Sequence, residues 1–333
     1  MMLQLEEIQA LFQQEARKFL DQLLDRQGPA LFKDTLFLSF LGARVCYAST
    51  RPLSLFAEKR FQDQAELLAF LLRLKASGHT SIFAHSPLVA QVPSGSDPGV
   101  LARVLYKAWW SPEGNKVCLN LRHVAEVYED QSFKEILAAS LQESNSWLGF
   151  RTFVLLIEGS EPKLVEKTPL ADQIAQAEEE YTGLWAHPRV TVIDVAPEET
   201  APFGWLAVIV EGMSRLFSHQ YVRHTWLNFN QRSHRYTQID QFVCPPSFGE
   251  EARKLYEEEI KRGLEAYQTL IKLGIKKEDA RFVTPQGSAT TILATGPYFV
   301  WQDFVRKRRH LKAQWEIRAL ARALELVFQE LDL

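Results

Sequence analysis

The chain has 333 residues, with 46% hydrophobic and 24% charged positions. These are the proportions of a soluble globular protein with a large core in one or two domains. A net charge of −3 argues against a general nucleic-acid binder, and no apolar run approaches the ~20 residues that a membrane helix needs.

In chain order, Leu5, Ile8, Leu11, Phe12, Phe19, Leu20 and Leu23 recur at helical spacing and predict an amphipathic helix within residues 1–30. Charges interrupt it, so it does not read as a signal peptide. Residues 34–47 read as a strand leading into a helix start, 56–77 as a helix ending at Gly78, and 87–92 as a strand. Residues 104–110 and 116–121 flank Ser111-Pro112-Glu113-Gly114-Asn115 as a hairpin. Residues 133–141 and 170–184 are helical, and 152–157 and 190–195 are rich in branched residues, as strands are. Ala196 to Pro202 is linker-like. Strand 206–210 follows, then a helix carrying Gln220 and Arg223 toward a loop at 226–233, and long helices over 250–273 and 300–331. Cys46, Cys118 and Cys244 match no metal or redox spacing and read as thiols in a reducing cytoplasm.

The stretch from Met213 to Asp240 is the most informative. Gln220, Arg223, Gln231, Ser233 and Arg235 are planar or short hydrogen-bonding groups suited to a phosphate and a polar ring. Arginine offers a rigid donor fork that lysine lacks. Arg306, Lys307, Arg308, Arg309, His310 and Lys312 form a second basic segment. Arg306, Lys307, Arg309 and Lys312 read there as a solvated helix face.

This arrangement resembles the signature of the flavin-dependent thymidylate synthases, S-R-x-x-x-H-Q-x-x-R-H-R, seven residues, then S-x-R-Y. Ser214, Arg215, His219, Gln220, Arg223, His224, Ser233, Arg235 and Tyr236 fall in register; Thr225 stands where the third residue of R-H-R is arginine. Gly42 to Tyr47 is similar to the family's A-A-R-V-S run. Gly78 to His85 is similar to G-H-x-[ST]-P-F-E-H, with Ala84 in place of the glutamate. Ala280 to Pro285 is similar to A-R-x-V-L-P, and Ala313 to Ile317 reproduces A-Q-W-E-I.

The resemblance implies an α/β (α+β) fold with a mixed sheet flanked by helices. Residues 31–92 and 203–333 would form the core, and residues 93–202 an inserted subdomain at one edge. Strands 87–92 and 206–210 are then expected to pair. It implies reductive methylation of dUMP to dTMP with methylenetetrahydrofolate, FAD and NADPH, in a homotetramer to which Arg281 is contributed across a subunit interface. Gln220, Tyr221, Val222, Arg223, Gln231, Arg232, Ser233, His234, Arg235, Arg281 and Arg308 correspond to dUMP-binding positions. Arg308 is the catalytic group, favouring negative charge on the ring near N3. His79, Ser81, Arg223, His224, Thr225, Gln231 and Asp303 correspond to flavin positions. Ala84, Thr225, Pro297 and Phe299 depart from the flavin set, and Arg306, Arg309, Arg122 and Lys107 are expected to compensate. Two alternatives stay open: another pyrimidine-nucleotide C5-modifying enzyme, such as a hydroxymethylase or a UMP methylase, and a non-catalytic nucleotide-binding paralogue without flavin.

Overall fold

The computed structural model describes residues 36–48, 52, 70–71, 73–74, 76–127, 130–133, 136, 151–153, 183–186, 188–194 and 200–333. The N-terminal helix expected within 1–30, most of the 56–77 and 133–141 helices, and nearly all of 170–184 lie outside these residues. The elements in order are α1 (Leu36–Tyr47), a 3-10 helix (Thr80–His85), β1 (Pro87–Gln91), α2 (Pro98–Val104), β2 (Trp109–Trp110), β3 (Lys116–Asn120), α3 (Leu121–Val127), β4 (Arg151–Phe153), β5 (Arg189–Asp194), β6 (Leu206–Ser214), α4 (Arg215–Tyr221), β7 (Asn228–Gln231), α5 (Glu250–Lys272), α6 (Lys277–Ala280), a 3-10 turn (Arg281–Val283), β8 (Ala289–Gly296), α7 (Tyr298–Arg308) and α8 (Trp315–Glu330).

Two sheets organise these residues. One has the order β1-β3-β2 and the other β4-β5-β6-β8-β7. The mixed α/β fold expected from the sequence is present, with helices against the sheets. Every pairing between the named strands is antiparallel. β6 and β8 form the middle of the larger sheet. All nine β6 residues are buried, so it reads as a continuous apolar run rather than an alternating one.

Several expectations need correcting. β1 pairs with β3, Leu88 opposite Leu119, and not with residues 206–210. β5 takes the place beside β6, with Val190 opposite Val210 and Ile193 opposite Ala207. A buried Arg189 stands opposite a buried Glu211 in that ladder, an opposite-charge pair that suits this register. Strands β4 and β5, from within 93–202, thus extend the large sheet on the β6 side. Residues 36–47 are helical throughout, because Leu38, Phe40, Leu41, Ala43 and Val45 bury against the core whichever period is read into so apolar a run. The loop expected at 226–233 contains β7, whose Phe229 and Asn230 pair with Ala294 and Leu293. The long C-terminal helix is two helices, broken at 309–314. The hairpin around Ser111–Asn115 forms as expected, with its first strand reduced to Trp109–Trp110 because α2 runs on to Val104.

A bulge at the end of β6 prepares the functional region. Between the Val210–Ile292 and Met213–Thr290 pairs, β6 holds one residue more than β8. Gly212 absorbs the kink at φ 68°, a left-handed conformation that favours glycine. The strand then delivers Ser214 to the start of α4.

Candidate active site

Ser214 is both the last residue of β6 and the cap of α4. Its Oγ accepts from the Phe217 amide at 3.1 Å. The same hydroxyl donates to Glu316 Oε2 at 2.5 Å, and the Ser214 amide donates to Glu316 Oε1 at 2.7 Å. Gln314 adds a third donor to Glu316 at 2.6 Å, while its own Oε1 accepts from the Glu316 and Ile317 amides and caps α8. Burial pushes the Glu316 carboxyl upward, and the hydrogen bonds from Ser214 and Gln314 oppose that rise. The A-Q-W-E-I run is therefore a clamp that fixes the N-terminus of α4. Spacing gave no sign of this, since the partners lie about a hundred positions apart.

Just beyond the C-terminal end of α4, three polar groups meet. Arg308 Nε donates to His224 Nε2 at 2.8 Å, and the His224 ring packs edge-on against Phe304 with centroids 4.8 Å apart. Burial, with Arg308 and Lys307 beside it, brings the His224 pKa down to about 4. The ring is thus neutral at physiological pH and accepts from Arg308. Arg308 is itself pushed down by burial and by the neighbouring Arg223. Among the described residues, neither Arg223 nor Arg308 has a carboxylate within salt-bridge distance.

A second group of arginines gathers around His234. Burial and Arg215, with Arg232 and Arg281, hold this buried histidine at a pKa of about 4, against a hydrogen bond with the Ala289 backbone. Arg215 is pushed down by burial and by Arg281. Arg281 thus reaches this group within one chain; its Nε donates to the Glu278 carbonyl at 3.0 Å. Arg232 Nε and Gln220 Oε1 are buried without a hydrogen-bond partner. Arg215, Arg232 and Arg281 have no carboxylate partner among the described residues. α4, seven residues and about 10 Å long, runs from Arg215 in one group to just before Arg223 in the other.

The basic residues expected to compensate for Thr225 and Ala84 are neutralised. Arg306 and Lys307 pair with Asp303 at 2.5 Å each, and Arg309 with Glu325 at 2.7 Å. Lys107 and Arg122 both pair with Glu126. The helix-face reading of Arg306, Lys307 and Arg309 agrees with this. Arg306, Arg309, Arg122 and Lys107 are not the free cations expected to compensate for Thr225 and Ala84, because each carries its own carboxylate. The Asp303 carboxylate is likewise taken up within its own helix.

The remaining signature residues divide. Ser233 donates its amide to the Cys46 carbonyl at 2.9 Å, tying the motif to α1. Gln231 Nε2 donates to Thr290 Oγ1 at 3.0 Å. Arg235 is held by Glu278 through contacts at 2.8 and 2.5 Å and lies over the Tyr236 ring. Tyr221 turns its ring into an aromatic core against Phe217, Phe229 and Phe304, which takes its side chain out of the candidate site. Val222 and Thr225 are exposed. His79 and Ser81 are exposed as well, and His79 meets Tyr47, which in turn meets Tyr236.

His85, which the sequence marks only as the end of a motif, locks the scaffold. Fully buried, it bonds Asn230 Oδ1 at 2.6 Å and Thr295 Oγ1 at 3.0 Å, and burial lowers its pKa to about 4. Gly42 makes room for it, since a Cβ there would come within 2.6 Å of the imidazole. Among the described residues no group of three or more His, Cys, Asp or Glu side chains could hold a metal ion, and no helix is long and apolar enough to cross a membrane.

Residues 199–331 match the family described as "Thymidylate synthase complementing protein". The chain is 39% identical over 116 residues to a flavin-dependent thymidylate synthase of Sulfurisphaera tokodaii, covering 34% of this chain and 45% of that one. With the Geobacter sulfurreducens protein of the same name identity is 40% over 118 residues, covering 34% and 51%; with that of Clostridium tetani it is 34% over 146 residues, covering 38% and 57%. The chain thus spans about half the length of the curated relatives it matches. A solved UMP/dUMP methylase from Streptomyces cacaoi is 21% identical, with a TM-score of 0.36 over 39% of this chain and 68% of that one. An overlap that small fixes neither fold nor substrate. The sequence is a divergent match to the flavin-dependent thymidylate synthase family, carried by its C-terminal part.

Proposed function

We propose that the protein methylates C5 of a pyrimidine nucleotide, converting dUMP to dTMP with methylenetetrahydrofolate as carbon donor, FAD as hydride carrier and NADPH as reductant. The observation that supports this most directly is the set of arginines without carboxylates. Arg215, Arg223, Arg232, Arg281 and Arg308 are uncompensated, while Arg306, Lys307 and Arg309, next to Arg308 in sequence, are neutralised. Like charges held together without counter-ions mark a site built for an anion. Two such groups at either end of α4 suit a molecule with a phosphate at one end and an acidic ring at the other.

The ring belongs at Arg308 in this reading. Its Nε is committed to neutral His224, which orients the guanidinium and leaves its terminal nitrogens for a ligand. A fixed cation there stabilises the negative charge that a uracil ring carries at N3 and O4 when N3 ionises or hydride adds at C6, the charge that makes C5 nucleophilic. The phosphate belongs with Arg215, Arg232 and Arg281, where Arg232 Nε waits unpaired in a buried setting. Arg235 joins them once it exchanges Glu278 for the ligand. Holding both ends of the nucleotide converts a collisional reaction into an oriented one.

A flavin would meet only part of its expected set here: Arg223 is exposed and uncompensated, His224 follows it, and Gln231 ends β7. With His79 and Ser81 they would hold the group, which when bound supplies the hydride. The paralogue reading keeps the arginine groups and drops only this contribution.

Isothermal titration with dUMP tests the pocket. The account expects saturable binding, weakened about tenfold or more by Arg308→Ala. Wild-type protein that takes up no dUMP, or an Arg308→Ala variant binding as tightly as wild type, would refute it.

A further inference from the structure

Away from the arginine groups, α5 and α6 enclose a cleft of about 280 Å³ with the segment after Tyr236. Ile239, Leu264 and Ile271 give it apolar walls, and Lys272 and Lys277 lie on its rim. No carboxylate lines it. Tyr267, also in the lining, is 5% exposed, and its hydroxyl has no hydrogen-bond partner. A buried donor left unmade is costly and calls for an explanation. Burial raises the Tyr267 pKa, which keeps the hydroxyl protonated and able to donate.

We propose that this cleft binds a small aromatic carboxylic acid. The apolar walls take a ring system, the two lysines take the carboxylate, and two lysines without acidic lining residues favour an anion over a cation. The volume falls just below the usual range of ligand sites, about 300 to 1,000 Å³, which limits the ligand to about two fused rings. The ligand is not the nucleotide, because the cleft contains none of the uncompensated arginines. It does adjoin that region: Lys277 Nζ donates to the Tyr236 carbonyl at 3.3 Å, and the next residue, Glu278, holds Arg235. This proposal stands whether or not the protein methylates a nucleotide.

The test uses 2-naphthoate as probe, followed by saturation-transfer NMR and by its own fluorescence, on the full chain. Binding of 2-naphthoate should saturate, and the neutral 2-naphthalenemethanol should bind at least about fivefold more weakly. Lys272→Gln and Lys277→Gln should each weaken naphthoate about fivefold to tenfold, as expected for a lost charge-assisted contact. Both lysines are exposed, so these variants keep the fold. Tyr267→Phe should weaken it about threefold without lowering the melting temperature. Saturating dUMP should leave naphthoate bound. Absence of saturation, indifference to both lysine changes, or displacement by dUMP would each overturn the assignment.

Discussion

Single residues set the electrostatics of the site, and their protonation can be followed. His224 has a folded pKa of about 4 against an ordinary 6.5, so it is neutral above pH 5 and accepts from Arg308. Protonation near pH 4 removes the acceptor that orients the Arg308 guanidinium. Titration calorimetry from pH 7 down to 4 should therefore show His224→Gln losing less dUMP affinity on acidification than wild type does. His85 acts on stability instead. Its pKa is lowered on folding, so the unfolded chain binds the extra proton between pH 6.5 and 4. Stability is then complete above pH 6.5 and falls by roughly 3 kcal/mol as pH drops through that window. Urea unfolding at pH 7, 5.5 and 4.5 should show this, and His85→Asn should flatten the slope. Glu278 offers a third check. If Arg235 turns from Glu278 to phosphate, Glu278→Gln removes a competitor and should tighten dUMP binding by about threefold to tenfold. Unchanged or weaker binding would leave the Arg235–Glu278 pair purely structural.

At the scale of elements, the clamp from α8 onto α4 is the feature most exposed to test. Glu316→Ala strips the partner from a buried Ser214 amide and hydroxyl, at a cost of about 3 kcal/mol in unfolding free energy. Glu316→Gln keeps one acceptor and should recover part of it; equal stability of all three proteins would discount the clamp. Which elements were legible follows the same physics. The helix bearing Gln220 was evident because its motif is local, as was α5 with its regular charge spacing. The helix α1 was misread because an unbroken apolar run fits strand and helix alike. β7 escaped notice because Asn228-Phe229-Asn230-Gln231 carries one apolar side chain, its place in the sheet fixed by β8. The break between α7 and α8 lacks both proline and glycine; it is fixed by the Gln314 cap. The arginines were legible as a list of residues, and the Asp303 pairs are local to one helix, but which of the others lack carboxylates depends on Glu278 and Glu325 arriving from elsewhere in the fold.

Across the whole molecule, the larger sheet joins residues from both halves of the sequence. We propose that 93–202 is an insertion that contributes β4 and β5 as added strands beside a β6-β8-β7 core. Hydrogen exchange should then rank the amides, with β6 and β8 slowest and the three-residue edge strand β4 fastest of that sheet. Protection of β4 equal to that of β6 would instead make the added strands part of the central unit.

The central claim is chemical, and the release of tritium from [5-³H]dUMP tests it most directly. Incubated with FAD, NADPH and methylenetetrahydrofolate, the protein should release tritium to water and form dTMP in equal amounts. Arg308→Ala should reduce both by at least about a hundredfold, since the group acts on charge that develops in the transition state. Binding of dUMP with neither tritium release nor dTMP would contradict the methylase account and leave a nucleotide-binding paralogue.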